Sequence, residues 1–255
     1  MTDRRRFLAK ALAGAGTLML TGCYDLSQKP WFVGALGKVE DLSRTAQHLF
    51  AGPQTLAPEF TKADIAPVFR ANGTLDPATP EYAAHVKSGF RNWRVTVTGL
   101  VAHPLSLSMD DIRRLPARTQ ITRHDCVEGW SCIGEWTGPQ LARILAAAAP
   151  TRRARYCVFY CADPMTAEGD PAHFYYESLA LSEAMHPQTL LAYQMNGAPL
   201  QVAHGAPVRL RAERQLGYKQ PKYVQRIELV ADFSAIQGGK GGYWEDQGYQ
   251  WYGGI

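Results

Sequence analysis

The stretch Arg123-His124-Asp125-Cys126-Val127-Glu128-Gly129-Trp130-Ser131-Cys132-Ile133-Gly134-Glu135-Trp136 is polar, aromatic and glycine-containing, and the elements around it set the fold. Gln120 to His124 reads as a strand. Gly138 to Ala149 carries Leu141, Ile144, Leu145 and several alanines at helical spacing, and Pro150 closes it. A loop between a strand and a helix is a common place for active-site residues. Cys126 follows the strand end beside His124 and Asp125, so its thiolate is a candidate soft metal ligand or nucleophile. The competing reading makes it a small buried hydrophobe, as lone cysteines often are.

Working outward, Arg94 to Thr98 alternates with period two and ends at Gly99, while Ser108-Met109-Asp110-Asp111 opens a short helix that stops before Pro116. Tyr156 to Tyr160, Thr189 to Met195, Val208 to Ala212 and Arg226 to Val230 are β-branched or apolar strands, with Asn196-Gly197 as a turn. These short strands and helices predict a mixed α+β domain. No internal repeat interrupts them. From Tyr24 to about Glu81 prolines recur and an irregular tether and arm are expected. Gly238 to Ile255 is rich in glycine and aromatics, including Trp244, Tyr249 and Trp251. Exposed aromatics suit no linker, so this tail either wraps the domain or rims the entrance to its site.

The chain has 255 residues, 46% hydrophobic and 20% charged, which excludes disorder and leaves core enough for one domain. Its formal charge is +4, but Arg4, Arg5, Arg6 and Lys10 against Asp3 place +3 in residues 1–22 and leave +1 for the rest. That near-neutral body offers no basic face for nucleic acid. The apolar run Ala11 to Leu20 is too short to span a bilayer and reads as a signal peptide. Arg4-Arg5 followed by Phe7-Leu8 resembles the twin-arginine export signal, which serves proteins already folded and loaded with a cofactor. Leu20-Thr21-Gly22-Cys23 resembles a lipobox, with Cys23 as the acylated residue. Both put the mature chain in the periplasm, tethered to a membrane.

Cys126, Cys132, Cys157 and Cys161 remain after Cys23. Cys157 and Cys161 share a strand face at about 13 Å, beyond disulfide reach. A zinc site from the four would use spacings of six and four, without the two-residue knuckle of structural zinc sites. His204-Gly205-Ala206-Pro207-Val208-Arg209 and Glu213 to Val224 combine glycines with cations. Arg209 and Lys222 there either clamp a phosphate or belong to a solvated basic hairpin.

Cys126-Val127-Glu128-Gly129-Trp130, Trp136-Thr137-Gly138, His186-Pro187-Gln188-Thr189-Leu190, His204 to Arg209 and Lys222-Tyr223-Val224 together resemble the molybdopterin oxidoreductases of the sulfite oxidase fold, in their bacterial periplasmic branch. The resemblance runs from about Pro67 to Val230. It implies Cys126 as the one protein ligand to molybdenum, a role that suits a soft thiolate, and a single pyranopterin as cofactor. It places His204, Arg209 and Lys222 at the pterin and its phosphate arm, Asn72-Gly73 on an arm reaching the cofactor, and Cys161 where relatives carry a threonine near the pterin. Val127-Glu128-Gly129-Trp130 stands where sulfite oxidases have a cationic segment, so a neutral or zwitterionic S-oxide or N-oxide suits the site better than sulfite. Arg123 or Arg214 is the expected counter-charge to Glu128.

The expected organisation is a signal peptide over 1–22, a tether and arm over 23–66, the molybdopterin domain over 67–233 and a packed tail over 234–255. The function so implied is two-electron oxygen-atom transfer by a monomer fed by an external electron carrier, a membrane cytochrome by family resemblance. Two other classes stand beside it: a cofactor-free binding lipoprotein on the same scaffold, and a zinc hydrolase using cysteines with His124 or His204.

Overall fold

The computed structural model describes residues 55–166 and 173–255, with seven scattered positions before them. The signal segment and Cys23 lie outside the described residues. No helix among the described residues is long and apolar enough to cross a membrane.

Among the described residues eleven strands form three sheets. The largest has the order β2-β1-β11-β5-β6, built from β1 (Arg94–Gly99), β2 (Leu105–Ser108), β5 (Tyr156–Pro164), β6 (Phe174–Ala180) and β11 (Val224–Val230). Its first and last strands in sequence, β1 and β11, pair in parallel, Thr96 opposite Arg226, while every other pairing is antiparallel. A second sheet has the order β3-β4-β8-β9, from β3 (Ala117–Asp125), β4 (Ser131–Pro139), β8 (Gln194–Met195) and β9 (Ala198–Pro199). The third pairs β7 (Leu190–Ala192) with β10 (Arg209–Arg211). This is a mixed α+β fold, as the pattern of short strands predicts.

Among residues 55–255, five described α-helices punctuate the strands: α1 (Pro80–Lys87), α2 (Met109–Arg114), α3 (Leu141–Ala148), α4 (Leu181–Ala184) and α5 (Tyr243–Asp246). Helix α3 buries Leu141, Ile144, Leu145 and Ala148, one stripe at i, i+3, i+4 and i+7. Ser108 caps α2 in a reciprocal box with Asp111. Pro80, expected to interrupt structure, instead opens α1, because the first turn of a helix has no use for its missing N–H. Trp93, Val95, Val97, Phe159, Leu210, Ile227 and Leu229 meet α3 in the main core.

The 123–136 segment departs from the expected loop. Strands β3 and β4 pair continuously from Ala117 opposite Pro139 to Asp125 opposite Ser131, so only Cys126 to Trp130 forms a turn. Gly138 belongs to β4 rather than to the helix: a side chain there would run into the Leu191 carbonyl at 2.0 Å. Asn196 (φ 51°) and Gly197 (φ 76°) make the expected turn between β8 and β9.

The tail is packed. The Trp251 indole donates to Ser178 Oγ at 2.8 Å and its ring meets Tyr156 edge-on at 5.4 Å. Asp246 accepts from the backbone of Gly238 and Lys240 and from the Tyr176 hydroxyl.

Candidate active site

The β3–β4 turn presents Cys126 at one end of the small sheet. Its backbone N–H donates to the Trp130 carbonyl at 3.0 Å, the Gly129 N–H donates to the Cys126 carbonyl, and Gly129 closes the turn with φ at 84°. Cys126 is 7% exposed and lines a cleft of about 190 Å³, more than ten times what a buried water needs. Asn72 reaches over from the N-terminal arm and its Nδ2 donates to Cys126 Sγ at 3.4 Å. Gly73, at φ 61°, bends that arm and also lines the cleft.

Lys222 pins the arm. Its Nζ donates to the carbonyls of Asn72 (2.8 Å), Ala203 (3.0 Å) and Thr74. Arg209 spends its guanidinium on the carbonyls of His204 (3.2 Å) and Gln220 (3.1 Å) and lies over the Trp136 ring. Both cations line the cleft, both are buried, and among the described residues neither forms an ion pair. Burial, reinforced by Arg211, pushes Arg209 down to about 9. Burial, reinforced by Arg209, pushes Lys222 down to about 7. The solvated basic hairpin is therefore excluded. Two buried cations that share the cleft with one buried carboxyl, Asp163, and form no ion pair with it leave room for an anion.

Arg211 is the contrast. It is fully buried but grips Glu213 through two hydrogen bonds, stacks on Trp136 at 4.2 Å and donates to His124 Nδ1 at 2.9 Å. An arginine cannot accept, so His124 carries its proton on Nε2. Burial, with Arg211 beside it, keeps that imidazole neutral. Gly217 packs on the ring so closely that an added Cβ would stand 2.6 Å from Nε2.

Cys161 and His204, both expected at the cofactor, are not among the residues that line the cleft. Cys161 is 3% exposed within the main core, where burial holds its thiol protonated. The His204 ring packs edge-on against Phe69, and it is the backbone carbonyl that meets Arg209. Neither expected arginine reaches Glu128. Arg123 pairs with Asp125 at 2.9 Å, and Arg214 faces Glu183 at 4.0 Å. Arg70 takes that place, 3.7 Å from Glu128 and over the Trp130 ring, whose N–H donates to Glu128 at 2.8 Å.

Asp163, at the end of β5, escapes sequence reasoning. It lines the cleft, is 3% exposed, and its Oδ1 has no partner; burial pushes it up to about 6. Gln220, also in the lining, has an equally unpartnered Oε1. Only the apolar run into Ala162-Asp163-Pro164 hints at a carboxylate carried to the end of a buried strand.

The four cysteines described are free thiols, and no group of three or more His, Cys, Asp or Glu among the described residues could hold a metal. A zinc site made of the four cysteines is not assembled, since Cys157 and Cys161 sit in the core. What the cleft offers is one thiol, two cations outside any ion pair, and orphaned acceptors on Asp163 and Gln220. That set fits an anionic group bearing its own N–H donors and a thiophilic metal, as a metal-pterin with a phosphate arm is.

Residues 82–235 match the oxidoreductase molybdopterin binding domain, well over half of the chain. The chain belongs to the molybdopterin-binding oxidoreductases. Within this family it is 34% identical over 252 residues to the "Putative protein-methionine-sulfoxide reductase subunit YedZ1" of Azospira oryzae, covering 98% of this chain and 87% of the relative. It is 36% identical over 236 residues to the protein-methionine-sulfoxide reductase catalytic subunit MsrP of Xanthomonas campestris, covering 89% and 70%. The sulfane dehydrogenase SoxCD structure from Paracoccus pantotrophus overlaps 56% of this chain and 39% of that one, at 22% identity and a TM-score of 0.49. In this molybdopterin-binding oxidoreductase, Cys126, Asp163, Arg209 and Lys222 lie inside the matched region, while the Asn72 arm and the tail lie outside it.

Proposed function

We propose that this oxidoreductase removes an oxygen atom from an S-oxide or N-oxide, at a molybdenum held by Cys126 with one pyranopterin. The single observation that carries the reading is the Cys126 thiol in the cleft wall, hydrogen-bonded by Asn72, in a cleft that also holds two buried cations outside any ion pair. When bound, the cofactor supplies a centre able to exchange two electrons and an oxygen atom. Arg209 and Lys222 would hold its anionic arm, Asp163 would accept from its N–H groups, and Asn72 would position the thiolate. The names of both curated relatives support a methionine sulfoxide in proteins as the S-oxide. Arg70 pairs with Glu128 at 3.7 Å, so the rim offers a dianion such as sulfite no net positive charge.

Reduction of the sulfoxide consumes two electrons and two protons and yields thioether and water. The electrons come from an external carrier, which we take to be a membrane cytochrome. The export and lipidation signals in the sequence support anchoring in the periplasm through Cys23, and we take the protein to be a monomer.

Protein made in a host that synthesises the cofactor should carry about one molybdenum and one pterin per chain and oxidise a reduced dye with peptide methionine sulfoxide. Cys126→Ser should bring turnover to background. Full metal content and turnover in that variant would overturn the reading. Cys23→Ala should release the protein from the membrane fraction, and wild-type protein that is already soluble would remove the tether.

A further inference from the structure

Between Phe69 and Pro77 the arm that carries Asn72 has no buried side chain, so apolar packing does not decide where it lies. Polar contacts do. The Asn72 and Thr74 carbonyls accept from Lys222, the Thr74 hydroxyl meets Asp163, and the Thr74 carbonyl also accepts from the Tyr223 hydroxyl at 2.9 Å. The same hydroxyl lies 2.8 Å from the Val202 carbonyl, in the short turn whose Ala203 and His204 carbonyls are taken by Lys222 and Arg209. Tyr223 thus ties the arm to that turn, and its ring is fully buried, edge-on to Tyr82 at 5.3 Å.

In an extended strand the side chains of residues 222 and 223 would point to opposite faces. Here both end on the Thr74 carbonyl. What brings them together is the backbone of Tyr223, at φ 55° in the left-handed region that a bulky residue rarely enters. Backbone hydrogen bonds hold it there: the Ala162 N–H donates to the Tyr223 carbonyl, Val224 to Val208 and Leu210 to Pro221. Strain kept in place by its surroundings gathers where a side chain has to be aimed.

Taking Cys126 as the metal ligand, as read above, we propose that Tyr223 is a positioning residue: its hydroxyl holds the arm where the Asn72 amide meets the Cys126 sulfur. That donation, across 3.4 Å, depends on where the arm sits. Lys222 brings charge on a flexible stem, whereas the packed ring of Tyr223 gives its hydroxyl one direction.

The test compares Tyr223→Phe with Tyr82→Phe. Each removes one hydroxyl and keeps its ring, but the Tyr82 hydroxyl donates to Ala206 at 2.6 Å, in the turn rather than the arm. In cofactor-free protein, trypsin cleavage after Arg70, an exposed residue of the arm, should quicken about fivefold in Tyr223→Phe, the loss of one buried hydrogen bond, and stay within about twofold in Tyr82→Phe. In molybdenum-loaded protein, the sulfur-to-metal charge-transfer absorption should move in Tyr223→Phe in the direction it moves in Asn72→Ala. The double variant should go no further than the larger single one, and Tyr82→Phe should leave the absorption in place. Equal cleavage rates and equal absorption shifts in the two Tyr→Phe variants mean lost stability without positioning, and overturn the proposal. So do cleavage and absorption unchanged in Tyr223→Phe, or shifts that add in the double variant. Wild-type protein that takes up no molybdenum overturns the reading of Cys126 instead, and cleavage of the arm then still decides whether Tyr223 holds it.

Discussion

Replacing Lys219 by methionine should be among the most damaging single changes in the domain. Its ammonium lies 2.5 Å from Glu177 and 2.6 Å from Glu245, and all three side chains are at most 1% exposed. At an effective dielectric near 20, a unit pair at that distance attracts by about 6 kcal/mol. Desolvation offsets much of this in the intact cluster, but methionine leaves two carboxylates buried together with nothing to oppose them. Breaking a buried ion pair from one side typically costs about 3–5 kcal/mol, which for a domain of this size lowers the melting temperature by roughly 6–20 °C. Burial already pushes Glu177 well above its ordinary value. A carboxylate raised in the fold is least harmful where it is protonated, so the deficit of the variant should shrink as pH falls from 8 towards 5. Glu245→Gln, by contrast, leaves Lys219 and Glu177 as a one-to-one pair and should stay within about 1 kcal/mol of wild type. Denaturant unfolding of both variants at several pH values checks this. A Lys219→Met protein within about 1 kcal/mol of wild type at pH 8, or a Glu245→Gln protein equally crippled, would refute the reasoning.

Lys222 is depressed to about 7 in the cofactor-free fold but keeps a normal value near 10.4 when unfolded. Between pH 7 and 9 the unfolded state therefore binds more protons, and stability of the cofactor-free protein should rise with pH by on the order of 1–3 kcal/mol; denaturant melts should show the slope vanish in Lys222→Met. Gly217→Ala places a Cβ 2.6 Å from His124 Nε2. Overpacking of this kind costs about 1–3 kcal/mol, and in differential scanning the substitution should lower the melting temperature while also reducing the pterin recovered per chain.

Elements whose buried face is apolar are readable in the sequence. Val95 and Val97 alternate inward along β1, and the α3 stripe is buried as its spacing predicts. The site is harder, because there polarity and burial part company. Strand β3 turns Gln120, Thr122 and His124 inward and leaves Ile121 half-buried, the reverse of what alternation suggests. Strand β10 buries Arg209 and Arg211 together, yet as a sequence Arg-Leu-Arg is an ordinary surface strand. Only the tertiary partners, Glu213 for one and the open cleft for the other, make that burial tolerable. Cys126 and Asn72 come together at the cleft, while Cys161 and His204 do not line it, since motif order carries no information about which side of a strand or turn faces it. The tail's composition announces packing, but not which rings reach the cleft.

The parallel pairing of β1 with β11 joins the first strand of the sheet to the last. Until β11 has left the ribosome, β1 lacks its central neighbour, and Lys222, two residues before β11, is not there to draw in the Asn72 arm. Sheet closure and pocket closure thus coincide in time, late and across a long loop, which is the kind of contact that slows folding. A nascent chain stopped before residue 222 would have Cys126 but no enclosed place to keep a metal.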